Sequence, residues 1–240
     1  LHFAGFDPSS GLEPWRTSYR KESEKIPVHT HIDSTQFAHP LVTSMDELNA
    51  LADTRAVPRR DELAPALERD VLTLLHSHDA PGLQHMLANM LMRQGLQKFV
   101  LESITPLNRA VGEAWMRGEL QVFEEHLYTE QLQVAMRTAI NAFPRQTGIP
   151  RVLLTTLSGE EHTLGLLMVE ALLVIEDAYP VLLGPQTPID EIVRAAQIKQ
   201  VDVVCLSFST AYSPALAAQG LRDLRRALPT EMGLWAGGHG

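Results

Sequence analysis

The sequence predicts two folded parts in series: an all-α four-helix bundle and an α/β domain built on a parallel sheet. Residues 61–143 show long helical periods and no strand pattern, whereas residues 151–240 alternate short apolar runs with amphipathic stretches. Between them, the segment PRQTGIP at 144–150 contains two prolines and a glycine, which is a composition typical of linkers. The predicted fold class is therefore α/β plus all-α.

Residues 1–60 precede the helical part and show no sustained hydrophobic period. They combine five prolines with several large aromatic side chains. Because so many apolar groups are unfavourable in a freely solvated tail, we expect an irregular N-terminal arm that packs on the rest of the protein.

The helical part divides into four amphipathic segments joined by short connections, which favour an antiparallel bundle. The segments are 61–77, 80–93, 96–116 and 120–143. Asp79 is a typical N-cap for the second helix, with Pro81 in its first turn. Pro106 lies inside the third and predicts a bend, because an interior proline removes a backbone donor.

The α/β part alternates buried strands with helices. The strands are predicted at 152–156, 180–183, 201–208 and 233–236, and the helices at 163–176, 188–199 and 213–228. This βαβαβαβ order predicts a Rossmann-like parallel sheet with helices on both faces. Such a sheet binds ligands beyond the carboxyl ends of its strands.

The composition narrows the functional classes. The 240 residues are 45% hydrophobic and carry a net charge of −9, which disfavours binding to a phosphate backbone. Cys205 is the single cysteine, so a disulfide framework is excluded and a reducing compartment is favoured. The sequence has no apolar run of membrane-spanning length. We therefore expect a cytoplasmic protein.

Polar residues and glycines follow three of the four predicted strands, at the edge where this fold class binds ligands. They are Glu160, His162 and Gly165 after the first strand, Ser207 and Ser209 at the end of the third, and Gly237 and Gly238 at the end of the fourth. We expect these residues to converge on one site.

Their spacing resembles the signature of corrinoid-binding domains. That signature reads D-x-H-x-x-G, about 41 residues, S-x-L, about 26 to 28 residues, and G-G. All the spacings match, and two residues depart from the pattern: Glu160 replaces the aspartate and Ser209 replaces the leucine. We expect Glu160 to remain a hydrogen-bond acceptor and Ser209 only to weaken packing.

The resemblance implies cobalamin as the cofactor, in its adenosyl, methyl or hydroxo form. His162 would be the lower axial ligand of cobalt, and Glu160 would accept its other ring N–H. Ser207 would meet the displaced nucleotide tail, and Gly165, Gly237 and Gly238 would permit close approach of the backbone. A nucleotide-binding or receiver-like domain is the other α/β interpretation, but no G-x-G-x-x-G motif follows the first strand and no acidic pair for magnesium ends it.

A second motif lies in the helical part, where Trp115 is followed by nine residues and then by Glu125 and His126. This W-x9-E-H pattern resembles the helical cap of cobalamin-based light-sensing regulators of transcription. The resemblance implies that the three side chains surround the upper face of the cofactor, with His126 as a candidate upper ligand. Met116 stands where those repressors have a second histidine, so we expect no adduct of that kind.

Residues 1–60 show neither helix-turn-helix periodicity nor a basic recognition helix. Together with the segment SGEEHTLGLLM, this resembles the antirepressor family of photosynthetic purple bacteria (AerR and PpaA). The resemblance implies a cobalamin-binding, light-responsive antirepressor that is not an enzyme. Its partner would be a DNA-binding repressor of photosystem genes (CrtJ or PpsR type), with no specific DNA binding and no membrane contact of its own.

Two alternative functions would use the same residues below the cofactor. A corrinoid methyl-carrier subunit would share His162 and Glu160 but has no use for the W-x9-E-H motif. A heme or redox sensor would leave the spacings of Ser207 and the glycine pair unexplained. Corrinoid domains of this kind normally have a further helix and strand, so we expect the native chain to continue beyond Gly240.

Overall fold

The computed structural model describes residues 3–4, 60–144 and 148–238. The predicted N-terminal arm therefore lies outside the described residues, apart from Phe3, Ala4 and Arg60. None of the helices in the described ranges combines the length and apolarity that a membrane crossing requires.

Four α-helices form the first part of the described chain, as predicted. They are α1 (Arg60–His76), α2 (Ala80–Lys98), α3 (Thr105–Met116) and α4 (Val122–Asn141). Asp79 caps α2, since its Oδ1 accepts the Gly82 N–H at 2.9 Å. Apolar residues four apart line the buried side of each helix, and include Val71, Leu75, Leu83, Leu87, Leu107, Val111, Tyr128 and Leu132.

The predicted third helix, residues 96–116, is helical in the structure but not uniformly α-helical. The break comes at Gly95, whose φ of +77° is left-handed, and a π-helical segment (Phe99–Ile104) then leads into α3. Pro106 lies in the first turn of α3. Ile104 and Thr105, directly before it, have helical backbone angles, so the helix continues from the π-helical segment through Pro106.

The second part is the predicted parallel sheet. Its strands are β2 (Arg151–Leu157), β3 (Tyr179–Thr187), β4 (Val203–Phe208) and β5 (Gly233–Gly238), and its helices are α5 (Leu164–Ile175), α6 (Ile189–Lys199) and α7 (Pro214–Ala227). With the two-residue strand β1 (Phe3–Ala4), the strand order is β1-β5-β4-β2-β3. β2 to β5 are parallel, and the short β1 (Phe3–Ala4) pairs antiparallel with β5.

Helix α5 lies between the sheet and the helical bundle. Nine consecutive residues, from Leu166 to Val174, are buried, which is typical of a helix surrounded by protein. Alternate residues of β4 point to opposite sides: Cys205 packs in the core shared with α5 and the bundle, and Leu206 packs in the core on the other face. Burial raises the pKa of the Cys205 thiol, which makes this cysteine an unreactive core residue.

Polar contacts join the bundle to α5 through buried groups. Arg137 of α4 donates to Glu170 of α5 at 2.6 Å, and the Glu170 side chain is buried. Tyr128 of α4 donates to Asn108 of α3 at 2.7 Å, and Asn108 contacts the Met168 sulfur of α5 at 3.6 Å. These contacts fix the position of the bundle over the helix that follows His162.

Replacing Arg137 tests this interface. Burial raises the pKa of Glu170 while Arg137 opposes that rise, so Arg137→Ala leaves a buried carboxylate without its cation. We expect the free energy of unfolding to fall by about 2 kcal/mol at neutral pH. Because the folded-state pKa of Glu170 is the higher one, acidification through it should recover part of the loss.

Chemical denaturation of the full chain at neutral and mildly acidic pH checks both statements. Arg194→Ala is the control, since Arg194 pairs with Glu191 at 3.2 Å on the surface and should change stability by less than about 0.5 kcal/mol. Equal effects of the two variants would contradict the role assigned to Arg137.

Candidate functional site

The loop between β2 and α5 carries Glu160 and His162 in direct contact. Glu160 Oε1 accepts the His162 backbone N–H at 2.9 Å and lies 2.7 Å from His162 Nδ1. The Glu160 side chain is 1% exposed, whereas the His162 side chain is 63% exposed. A carboxylate at Nδ1 holds the proton on that nitrogen, which leaves Nε2 with a free lone pair on an accessible ring.

Ser209, in the loop after β4, binds the other oxygen of the same carboxylate. Its backbone N–H and its hydroxyl donate to Glu160 Oε2 at 2.7 and 2.8 Å. The expectation that Ser209 only weakens packing is therefore wrong. Serine adds a hydroxyl hydrogen bond that leucine lacks to the backbone N–H bond that either residue could make, and the longer side chain of glutamate spans the two loops.

The ionisation of Glu160 follows from these contacts. Burial on its own raises the pKa of the carboxyl, but the hydrogen bonds from Ser209 and His162 outweigh it and bring the pKa below its ordinary value. Glu160 is therefore a carboxylate at neutral pH, which is the form that orients and polarises His162.

Two further residues hold this loop and were not recognised in the sequence. The buried Thr156 hydroxyl donates to the Glu160 carbonyl at 2.6 Å and accepts the Gln186 N–H at 2.8 Å. Gln186 has a left-handed φ of +57°, and its side chain reaches Glu161 at 3.3 Å. This arrangement depends on an irregular register between β2 and β3, which the hydrophobic periodicity of the sequence does not predict.

The glycines and Ser207 come together beside α5. A Cβ at Gly165 would overlap the Ser207 hydroxyl, so any larger residue there would force the Ser207 side chain to rotate away. Gly237 and Gly238 lie opposite Ser207 and Phe208 in the register of β5 with β4. Gly238 has a φ of +126°, and a Cβ there would overlap the Phe208 carbonyl. The predicted convergence of three strand ends is present.

The cap residues lie around the connection between α3 and α4. Trp115 is near the end of α3 and is 49% exposed, while Glu125 and His126 occupy the first turns of α4. Glu125 accepts the Thr129 hydroxyl at 2.7 Å and lies 3.8 Å from His126 Nε2. The His126 side chain is 72% exposed, so its ring is open to a ligand.

A buried acid fixes the start of α4. Glu124 accepts the Gln121 N–H at 2.7 Å in a capping box, and its other oxygen lies 3.3 Å from His78 Nε2. The His78 ring meets Phe123 edge-on, with ring centroids 5.1 Å apart. These contacts position the turn that bears Glu125 and His126.

The side chains at this site suit a cobalt ion that is already bound within a macrocycle. In the described part of the chain, no cluster of three or more His, Cys, Asp or Glu residues is arranged to hold a metal ion. A corrin supplies four nitrogens of its own and needs from the protein only axial ligands. One accessible imidazole with a fixed tautomer meets that need.

Comparisons with known proteins bear on the helical bundle first, outside the loops that carry Glu160 and His162. Residues 67–140 match the B12 binding domain family. The HTH-type transcriptional repressor CarH of Myxococcus xanthus is 29% identical over 178 residues, which cover 73% of this chain and 58% of that protein. The repressor CarA of the same organism is 32% identical over 124 residues, covering 52% of this chain and 41% of that protein. The chain thus spans about half the length of these relatives.

A solved structure shows the same fold. The monomethylamine corrinoid protein of Methanosarcina barkeri superposes with a TM-score of 0.53 at 14% identity, over 69% of this chain and 79% of that one. The predicted fold, a helical bundle followed by a Rossmann-like domain with a parallel sheet, is therefore confirmed. The match to the B12 binding domain family supports cobalamin, the predicted cofactor.

Loss of His162 tests the lower ligand. In His162→Ala the only imidazole held by Glu160 is gone, and we expect cobalamin affinity to fall at least about tenfold. The absorption spectrum of the bound cofactor should also lose the features of histidine coordination. His85→Ala, an exposed histidine on α2, is the control. Retention of both affinity and spectrum in His162→Ala would refute the assignment.

Gly165 tests the slot beside Ser207. In Gly165→Ala the new methyl group displaces the Ser207 hydroxyl, and we expect cobalamin to bind about tenfold more weakly by calorimetry. Gly112→Ala in α3 is the matched control, since a Cβ there meets open space and should stabilise the helix by about 0.5–1 kcal/mol. Equal cobalamin affinity in the two variants would remove Ser207 and Gly165 from the site.

Proposed function

We propose that this chain is a cobalamin-dependent, light-responsive regulator of transcription, not an enzyme, and that it acts as an antirepressor on a DNA-binding repressor. The observation that carries the proposal is the relationship to the repressor CarH, which extends over 178 residues and covers 73% of the chain. The AerR and PpaA family, which the W-x9-E-H and SGEEHTLGLLM segments resemble, supplies the antirepressor role.

Different residues would contact the lower side, the nucleotide tail and the upper side of the cofactor. His162 would hold cobalt from below through Nε2, with Glu160 and Ser209 orienting the ring. Ser207, with Gly165, Gly237 and Gly238, would accommodate the nucleotide tail. Trp115, Glu125 and His126 would meet the upper side. When bound, cobalamin supplies a cobalt–carbon bond that light breaks.

Light can change the binding of a partner only if the dark and illuminated forms of the cofactor make different contacts with the protein. Glu125 and His126 lie on α4, and α4 contacts α5 through Arg137 and Glu170 at 2.6 Å. Helix α5 begins two residues after His162. A change at the upper side of the cofactor would therefore act on a helix packed directly against the element that follows the lower ligand.

The charge distribution favours a protein partner over DNA. The net charge is −9, and the arginines of α7 are engaged within the chain. Arg225 donates to the carbonyls of Leu228, Pro229 and Met232, while Arg222 and Arg226 contact side chains of their own helix. A repressor of the CrtJ or PpsR type, which controls photosystem genes, is the partner that the resemblance implies.

A corrinoid methyl carrier is the competing function, since its lower face would be the same. It would pass a methyl group to a partner enzyme in the dark, and the upper-face tryptophan would have no part in a light response.

Trp115 separates these functions. In Trp115→Ala loaded with adenosylcobalamin, we expect the rate of photolysis to change several-fold or its products to differ. Absorption spectroscopy during illumination measures both. Stability should change little, because Trp115 is half exposed. Ile198→Ala, at an exposed apolar residue of α6, is the control. Wild-type photolysis in Trp115→Ala would contradict the cap assignment.

Promoter occupancy by the repressor tests the regulatory role, measured by fluorescence anisotropy with apo, dark and illuminated chain. We expect illumination to change occupancy only when cobalamin is bound, and no nanomolar promoter binding by the chain alone at physiological salt. Promoter occupancy by the repressor that changes neither with light nor with cobalamin would overturn the proposal.

A further inference from the structure

The loop between β4 and α7, residues 209–213, touches the His162 loop at two separate points. Ser209 donates twice to Glu160 Oε2, at 2.7 and 2.8 Å. Three residues further on, the Tyr212 hydroxyl donates to the Ser158 carbonyl at 3.2 Å. The two contacts lie on either side of the turn at Gly159.

Tyr212 is itself held in place by the sheet. Its ring packs on Phe208, the last residue of β4, with ring centroids 5.5 Å apart. The ring also lies beside Gly159, where φ is +87° and a Cβ would lie 3.7 Å from Tyr212 Cε2. The ring therefore links the end of β4 to the turn that precedes Glu160.

The two oxygens of Glu160 have separate tasks. Oε1 faces both His162 donors, and Oε2 faces both Ser209 donors. Without the Ser209 hydroxyl, rotation of the carboxylate plane is opposed on that side by a single backbone N–H. The Nδ1 contact of His162 would then be less well fixed.

We propose that Ser209 and Tyr212 are positioning residues that clamp the Glu160 and His162 pair, and that Ser209 is matched to glutamate at position 160. The proposal rests on His162 as the cobalt ligand, which is part of the proposed function. An aspartate at 160 would be shorter by one methylene and could not bridge His162 and Ser209 in the same way.

The matching has a consequence for double variants. If Glu160 and Ser209 act as one unit, the loss caused by Glu160→Asp already includes most of the loss caused by Ser209→Ala. Their effects on cobalamin affinity should therefore be strongly non-additive. A purely structural role for Ser209 predicts additive effects.

The first experiment uses the full chain without cofactor. Nitrogen-15 NMR of the His162 imidazole reports whether the proton resides on Nδ1 at a fixed neutral pH. We expect one Nδ1–H tautomer in the wild type and a mixture in Ser209→Ala. Ser209→Thr should restore the single tautomer because it keeps the hydroxyl. Tyr212→Phe, which loses the Ser158 contact, should give an intermediate mixture.

The second experiment measures cobalamin affinity by calorimetry in the same proteins. We expect about a tenfold loss in Ser209→Ala and in Glu160→Asp, and little more in the double variant. Ser213→Ala is the matched control, because this exposed serine of the same loop makes no capping hydrogen bond. It should bind as the wild type does.

The outcomes distinguish the clamp from the ligand assignment. A wild-type tautomer and affinity in both Ser209→Ala and Tyr212→Phe would overturn the clamp while leaving His162 as the ligand. Additive losses would overturn the matching of Ser209 to Glu160. If cobalamin binds the wild type without histidine coordination, the ligand assignment fails, and the apo tautomer measurement still decides whether the clamp exists.

Discussion

A buried carboxylate governs the arrangement of this site. Glu160 is 1% exposed, and a charge in that position is stable only when hydrogen bonds replace the lost water. The required donors come from two loops that are far apart in sequence, at His162 and Ser209. Satisfying one charge therefore fixes the separation of two strand ends and the tautomer of the exposed histidine.

The sheet, helix α5 and the helical bundle hold the two loops around the Glu160 carboxylate in place. Parallel strands bring their carboxyl ends to one edge, so the loops after β2 and β4 are neighbours. Helix α5 starts beside the site and is buried between the sheet and the bundle. Through Glu170 and Met168 it contacts α4 and α3, the helices that carry the predicted upper-face residues. One buried helix thus connects the loop that carries His162 with the two helices that carry the predicted cap residues.

Periodicity and spacing predicted the features that depend on local pattern, including the order of the strands and helices and the convergence of Glu160, His162, Ser207 and the glycines. Features that depend on the reach of a side chain between loops were not predicted. The contact of Ser209 with Glu160 is set by one additional methylene, and the Thr156 bridge by an irregular register. The π-helical segment before Pro106 was not predicted either, because hydrophobic periodicity does not distinguish one π-helical turn from an α-helix.

The most direct measurement is electron paramagnetic resonance of the cobalt(II) form of bound cobalamin in protein labelled with nitrogen-15 histidine. Coordination by His162 predicts that the axial nitrogen splitting changes from the three lines of nitrogen-14 to the two lines of nitrogen-15. It also predicts that His162→Ala abolishes the two-line pattern. An unchanged three-line splitting in the labelled wild type would mean that the cofactor keeps its own benzimidazole on cobalt, and would contradict the account.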